Sequence, residues 1–224
     1  AIGTNPAGGT LSGTTTVAAV AGVAAFSTLS IDNAASSYTL TATAAGLTEA
    51  SSALFDVTAT RATQLVFTVQ PTSTTAGVSI SPAVQVTARD ASGQTDVSFT
   101  GNVTLTITAG TGTSGATLSG TTTAAAINGI ATFSTLSINR SGTGYRLSAT
   151  ATGLAGSTSS SFTVNPGAAT QLSFTVQPDS TTAGATITPA VQVTVKDALG
   201  NPVKSFSGTV TVTMETNAGG GTLS

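Results

Sequence analysis

An all-β fold, laid out as a tandem array of one repeated sandwich, is what this sequence predicts, and three observations predict it. The chain repeats itself. Gln64-Leu65-Val66-Phe67-Thr68-Val69-Gln70-Pro71 returns as Gln171-Leu172-Ser173-Phe174-Thr175-Val176-Gln177-Pro178, and Thr10-Leu11-Ser12-Gly13 returns as Thr117-Leu118-Ser119-Gly120, each after a period of 107 residues. A fixed period marks stacked copies of one structural unit. Second, apolar residues alternate with Thr, Ser and Gln at the period-two spacing of half-buried strands. Third, turn signals recur about every ten residues, and no amphipathic stretch of period 3.6 has useful length.

Residues 64–170 spell out one unit, element by element. Leu65, Phe67 and Val69 alternate with Val66, Thr68 and Gln70 as a first strand, which Pro71 ends or kinks. Val84, Val86 and Ala88 are the inward set of a second strand, and Asp90-Ala91-Ser92-Gly93 reads as a turn. Val103, Leu105 and Ile107 alternate with Thr104, Thr106 and Thr108 in a third, followed by a Gly/Thr loop over 109–115. Ala124 to Ile127, Asn128-Gly129, then Ile130 to Ile138 predicts a hairpin on a type I′ turn, because Asn-Gly tolerates two successive positive φ angles. Tyr145, Leu147, Ala149 and Ala151 mark a sixth strand, and Ser157 to Val164 closes the unit. Seven short strands of this kind predict an immunoglobulin-like β-sandwich, with Tyr145 placed as a tyrosine corner.

The repeat separates inward from outward positions. Leu65/Leu172, Phe67/Phe174, Val84/Val191, Leu136/Leu29 and Leu147/Leu40 keep their type, whereas Val66/Ser173, Arg146/Thr39 and Asn102/Thr209 drift. A tightly filled core tolerates less change than a solvated face. All eight Phe and both Tyr fall into pairs one period apart, so no aromatic remains to form a platform for sugars or bases. The expected core is Phe26, Tyr38, Phe55, Leu65, Phe67, Val84, Val86, Phe99, Leu105, Phe133, Leu136, Tyr145, Leu147, Phe162, Phe174, Val191 and Phe206.

Composition narrows the chemistry. The chain has no Cys and no His, which removes disulfides, thiol nucleophiles, His-based metal sites and Ser-His-Asp triads. Charged residues are 6%, and Ser and Thr make up about a third, so hydroxyls and backbone must solvate the surface. That balance suits a secreted bacterial or archaeal surface protein. The net charge of −2 with no basic stripe argues against nucleic acid as a partner. The most apolar run, Val17 to Phe26, is broken by Gly22 and falls short of the roughly 20 residues of a spanning helix.

Asp90 and Asp197 read as turn formers; the scattered carboxylates do not make a calcium set. Asn102-Val103-Thr104 and Asn139-Arg140-Ser141 match the glycosylation sequon, but Thr209 and Asp32 stand at the neighbouring repeats' positions, which points to coincidence. Residues 64–170 contain no Lys, so an isopeptide cross-link has no donor there. Asp90 and Asp96 are the close acidic pair, and they flank a turn, so no enzyme, cofactor or metal is expected.

With Asp90-Ala91-Ser92-Gly93, Ala116-Thr117-Leu118-Ser119, Asn128-Gly129-Ile130-Ala131-Thr132-Phe133 and Gly144-Tyr145 in view, the unit resembles the bacterial Ig-like domains of the invasin/intimin type. The resemblance covers the chain in pieces. It implies a secreted or surface protein in which stacked sandwiches form a stalk. A departure is Ala21-Gly22, where the other repeat has Asn128-Gly129.

Three segments follow: 1–60 as the C-terminal part of one repeat, 64–168 as a complete repeat, and 171–224 as the N-terminal part of the next. Short linkers at Asn165-Pro166-Gly167-Ala168 and Thr58-Ala59-Thr60-Arg61 separate them. Each part repeat is expected to be completed from outside, by adjoining chain in a longer covalent array or by a head-to-tail neighbour. The two stretches 1–12 and 213–224 share one phase (Thr4-Asn5 against Thr216-Asn217) and would compete for one place in a shared sandwich, which favours the array. The expected function is a structural module of an extracellular fibre, filament or stalk. The alternative is an adhesion or carbohydrate-binding sandwich of a cell-surface protein, which calls for exposed aromatics or a polar cleft.

Overall fold

The structure, a computed structural model, describes residues 1–58 and 61–223. Ala59 and Thr60, within the first expected linker and at the end of the expected 1–60 segment, lie outside the described residues, as does Ser224 of the last segment. Among the described residues every regular element is a strand. The first segment carries β1 (Leu11–Ser12), β2 (Ser30–Ile31), β3 (Ala35–Tyr38), β4 (Thr41–Ala42), β5 (Ala50–Ser51) and β6 (Phe55–Val57). The middle segment carries β7 (Gln64–Val69), β8 (Thr74–Thr75), β9 (Val84–Arg89), β10 (Asn102–Ile107), β11 (Leu118–Ser119) and β12 (Thr123–Ala125). It continues with β13 (Ile130–Phe133), β14 (Ser137–Ile138), β15 (Gly142–Tyr145), β16 (Leu147–Thr150), β17 (Ser157–Thr158) and β18 (Phe162–Asn165). The last segment carries β19 (Gln171–Val176) and β20 (Gln192–Lys196).

The middle segment is a β-sandwich. One sheet runs β13-β9-β7. The opposite face is discontinuous, made of β12-β10-β16-β17 and β15-β18-β8, joined because β15 and β16 lie on one stretch of chain and β17 and β18 on another. Alternation fixes which side chains meet between them. Leu65 and Phe67 of β7 and Val84, Val86 and Ala88 of β9 point inward from one sheet. Val103 and Leu105 of β10, Leu147 and Ala149 of β16, and Phe162 and Val164 of β18 meet them from the other. All belong to one buried cluster with Phe133, Leu136 and Tyr145. Burying a side chain such as Phe133 contributes roughly 1.5–3 kcal/mol.

The Asn128-Gly129 turn forms with φ of 50° and 78°, as its sequence requires. Its arms part at once. Ile127 and Ile130 bridge, then β12 pairs with β10 and β13 with β9. The expected hairpin is thus a crossing from one sheet to the other. Its inward residues Ala131 and Phe133 are needed opposite Val86 and Val84, and Ala124 opposite Val103.

The first and last segments reproduce parts of this unit, register for register. Leu11↔Ile31 repeats Leu118↔Ile138, and Tyr38↔Phe55 repeats Tyr145↔Phe162. β19 pairs with β20 as β7 does with β9, down to the irregularity at Phe174/Val176 and Phe67/Val69. Residues 209–214, one period after β10, run without strand pairing.

Three expected core residues are corrected here. Phe26, Phe174 and Phe206 are 42%, 45% and 43% exposed, whereas Phe133 and Phe67, the counterparts of the first two, are 1% and 6% exposed. Phe133 is covered because β9 lies beside β13; among the described residues no equivalent strand lies beside Phe26. Phe174 has its β20 partner but no opposing sheet, and Phe206 has no sheet behind it. Val191, Phe55 and Phe99 are half-buried. Tyr38, Leu65, Val84, Val86, Leu105, Leu136, Tyr145, Leu147 and Phe162 are buried.

Candidate functional site

The polar groups singled out by sequence act on the backbone. Asp90 Oδ1 accepts the amides of Ser92 and Gln94, each at 2.9 Å, and Asp197 Oδ1 accepts those of Leu199 and Asn201 at 2.9 and 2.8 Å. These are Asx turns, in which the carboxylate stands in for a backbone acceptor. Asp96, also buried, accepts from Ser98 and from the amide of Ala62. The Ser98 hydroxyl, then the Ala62 amide, hold its carboxyl below the usual range. Asn139 Oδ1 accepts the Thr117 amide at 2.8 Å, and Asp32 Oδ1 takes the Thr10 amide at 2.6 Å in the first segment. Asn and Asp interchange there because only an acceptor oxygen is required. Among the described residues no cluster of three or more Asp and Glu could hold a metal ion, and no helix is long and apolar enough to cross a membrane.

A clamp joins the middle and last segments. Asp197 is 2% and Asn201 5% exposed. Asp197 Oδ2 accepts the Gly167 amide of the linker at 2.8 Å and the Asn201 side chain at 3.0 Å. Asn201 in turn accepts the Ser141 amide at 2.9 Å and donates to the Asn139 carbonyl at 3.0 Å. Burial would raise the Asp197 carboxyl, but hydrogen bonds from Asn201, Gly167 and Leu199 outweigh it and hold it below the usual value. The corresponding residue of the middle segment is Gln94, and Ala34 replaces Ser141.

The first and last strands of the sandwich lie side by side and parallel. Gln64 bridges Ala155, and further along Val164↔Thr74 and Asn165↔Thr75 pair β18 with β8. The rungs between them include Ala155 N–H to Thr63 O at 2.8 Å, Leu65 N–H to Ala155 O at 2.9 Å and Ala76 N–H to Asn165 O at 2.8 Å. Pro71 interrupts the backbone ladder, and side chains fill the gap: Ser160 N–H donates to Gln70 Oε1 at 2.8 Å and Thr163 N–H to Ser73 Oγ at 3.3 Å. The chain therefore enters beside Ala155 at one end of this seam and leaves at Asn165 at the other.

The first segment presents an open groove of about 460 Å³ lined by Leu11, Val17, Phe26, Leu29, Leu40 and Ala42 together with six Ser and Thr residues. The equivalent surface of the middle segment is covered by β9 and β10. Sequence placed Phe26, Leu29 and Leu40 inward; it did not place a groove, because a groove appears only where the covering strands are absent.

No known family model matches the chain, and no curated protein matches it. Among solved structures, surface layer protein SbsC, domains 4–9, is similar at 20% identity with a TM-score of 0.34. The match covers 79% of this chain and 26% of that one, so this chain spans about a quarter of its length.

Proposed function

We propose that this chain is a structural, non-enzymatic repeat module of an extracellular fibre, filament or stalk at a bacterial or archaeal cell surface, similar in kind to invasin/intimin-type stalks. Its work is reach and resistance to pulling. The observation that carries this reading is the parallel seam between the first and last strands of the middle sandwich. Tension applied through the two linkers pulls the strands past each other along their length. The hydrogen bonds of the seam then load together, whereas a hairpin pulled open at its end loses them one at a time. The Asp197–Asn201 clamp passes the load to the next unit through the neutral amide bonds of Asn201 to Ser141 and Asn139, with a charge-assisted bond from the Gly167 amide of the linker to Asp197. The sparse charge and the apolar cores make cohesion a matter of burial, at about 25 cal/mol per Å².

Single-molecule pulling tests this. Held through residues 62 and 166, the middle unit should resist with one high force peak. Held instead across the antiparallel β7–β9 pair, through cysteines at Val69 and Gln85, it should open at clearly lower force. Equal forces in the two geometries would remove the mechanical reading. Saturable hits on a glycan array, with no force difference, would replace it with adhesion.

A further inference from the structure

The chain has two internal joints, and the connections across them, 58–63 and 165–170, are equally long. The joints are not built alike. We propose that position 201, with its counterpart Gln94 one period earlier, sets the stiffness of each joint: asparagine locks the second, and glutamine leaves the first free to bend. This deepens the fibre reading, on which it rests, by giving the array stiff and bending joints encoded one residue at a time.

Two units on a short connection move relative to each other unless an interface holds them. At the second joint Asn201 supplies the hold. Its Oδ1 accepts the Ser141 amide at 2.9 Å, and its Nδ2 donates to the Asn139 carbonyl and to Asp197 Oδ2, each at 3.0 Å. These bonds engage both N–H donors and the carbonyl of one carboxamide, which fixes its orientation. The backbone it grips lies between β14 and β15 of the middle sandwich and is itself braced. Thr113 Oγ1 donates to the Ser141 carbonyl at 2.7 Å, and the Tyr145 hydroxyl donates to the Arg140 carbonyl at 2.9 Å. Leu199, in the same turn as Asn201, reaches over Gly77 of the middle sandwich, where a Cβ would stand 3.0 Å from Leu199 Cδ1. One turn, residues 197–201, thus holds the linker, the 139–141 loop and Gly77 together.

The first joint keeps the groups to be gripped and changes the side chain that grips. Asp90 shapes its turn as Asp197 does, with bonds to the amides two and four residues on. The counterparts of Ser141 and Asn139 are Ala34 and Asp32, and what Asn201 uses of that pair is a backbone amide and a backbone carbonyl, which any residue supplies. The facing loop is braced alike, since the Tyr38 hydroxyl donates to the Asn33 carbonyl at 2.9 Å. Yet Gln94 is exposed where Asn201 is buried, and the short Ser92 stands where Leu199 reaches across. The extra methylene of glutamine carries its carboxamide past the span that asparagine bridges, and immobilising it freezes one more rotor.

The test places spin labels on cysteines in the 224-residue chain, which has no Cys of its own. Ser36→Cys with Gln85→Cys spans the first joint, and Thr143→Cys with Gln192→Cys, the same two positions one period later, spans the second. The label-to-label distance distribution should be about twofold narrower across the second joint than across the first. Asn201→Gln should widen the second to match the first, and Gln94→Asn should narrow the first toward the second. Equal widths across the two joints before either substitution overturn the proposal, as does a second joint that Asn201→Gln leaves narrow. A first joint that Gln94→Asn leaves wide also overturns it, whatever Asn201→Gln does, because Asn201 then braces only its own turn. The pulling experiment is read within the middle unit and does not sense how its neighbours swing, so the joints and the mechanical reading fail separately.

Discussion

Gly120 shows what a single position can demand. It ends the repeated Thr-Leu-Ser-Gly stretch with φ of 94°, and a Cβ there would sit 2.1 Å from the Thr135 carbonyl oxygen; Gly13 faces Thr28 the same way. Gly120→Ala combines backbone strain with a clash against main chain, and should cost about 2 kcal/mol or more. Calorimetry should show this as a fall in Tm of roughly 8 °C or more for a unit of this size. Tyr145 donates its hydroxyl to the Arg140 carbonyl at 2.9 Å, as Tyr38 does to Asn33, so Tyr145→Phe should cost about 1 kcal/mol. Asp197, like Asp96, carries a pH dependence. Its folded carboxyl lies below the usual value, so its contribution is complete above about pH 3.9 and is lost as pH falls through the lower folded value. The Gly167 amide resonance should titrate with a midpoint under 3.9, and Asp197→Asn should abolish that titration. The tyrosine corner was legible because position and residue type both point to it. The role of Gly120 was not: the sequence shows that the glycine recurs, but the Thr135 carbonyl it must pass is fifteen residues away.

At the scale of elements, the strands with clean alternation (β7, β10, β16) stand where the pattern puts them, because each buries one face, and the central β9 buries Thr87 of its other face as well. β8 was illegible. Two threonines after Pro71 carry no periodicity, and their role comes from the last strand arriving alongside. The Asn128-Gly129 turn was legible in type and not in consequence, since a turn dictates reversal but not which sheets its arms join. The first segment makes the same turn with Ala21 at φ 51°. A left-handed alanine costs roughly 1–2 kcal/mol, so Ala21→Asn should slow amide exchange at Val20 and Val23, whose mutual bonds close the turn. Ala76→Pro, which deletes the donor to Asn165, should lower the shear force peak of the middle unit more than any substitution on the outer face of β10 does. Equal force peaks would take the load off the β8–β18 seam.

For the whole molecule, the all-β class was readable from the period-two alternation and the recurring turn signals. Which apolar residues end up covered was not, because Phe26 and Phe174 obey the same pattern as the buried Phe133 and Phe67 and differ in having, among the described residues, no covering strand or opposing sheet. Burial belongs to the neighbour as much as to the residue. With 6% charged residues, stability should change little with ionic strength, and Tm should stay within a few degrees from low to high NaCl. The central claim is one closed sandwich flanked by two open ones, and hydrogen exchange on the dilute chain tests it most directly. The account predicts that amides of β9, β10 and β16 exchange only through unfolding of the whole middle unit, while those of β3, β4 and β6 exchange far faster through local opening. Equal protection in residues 35–57 and in residues 142–165 of the dilute monomer would contradict it.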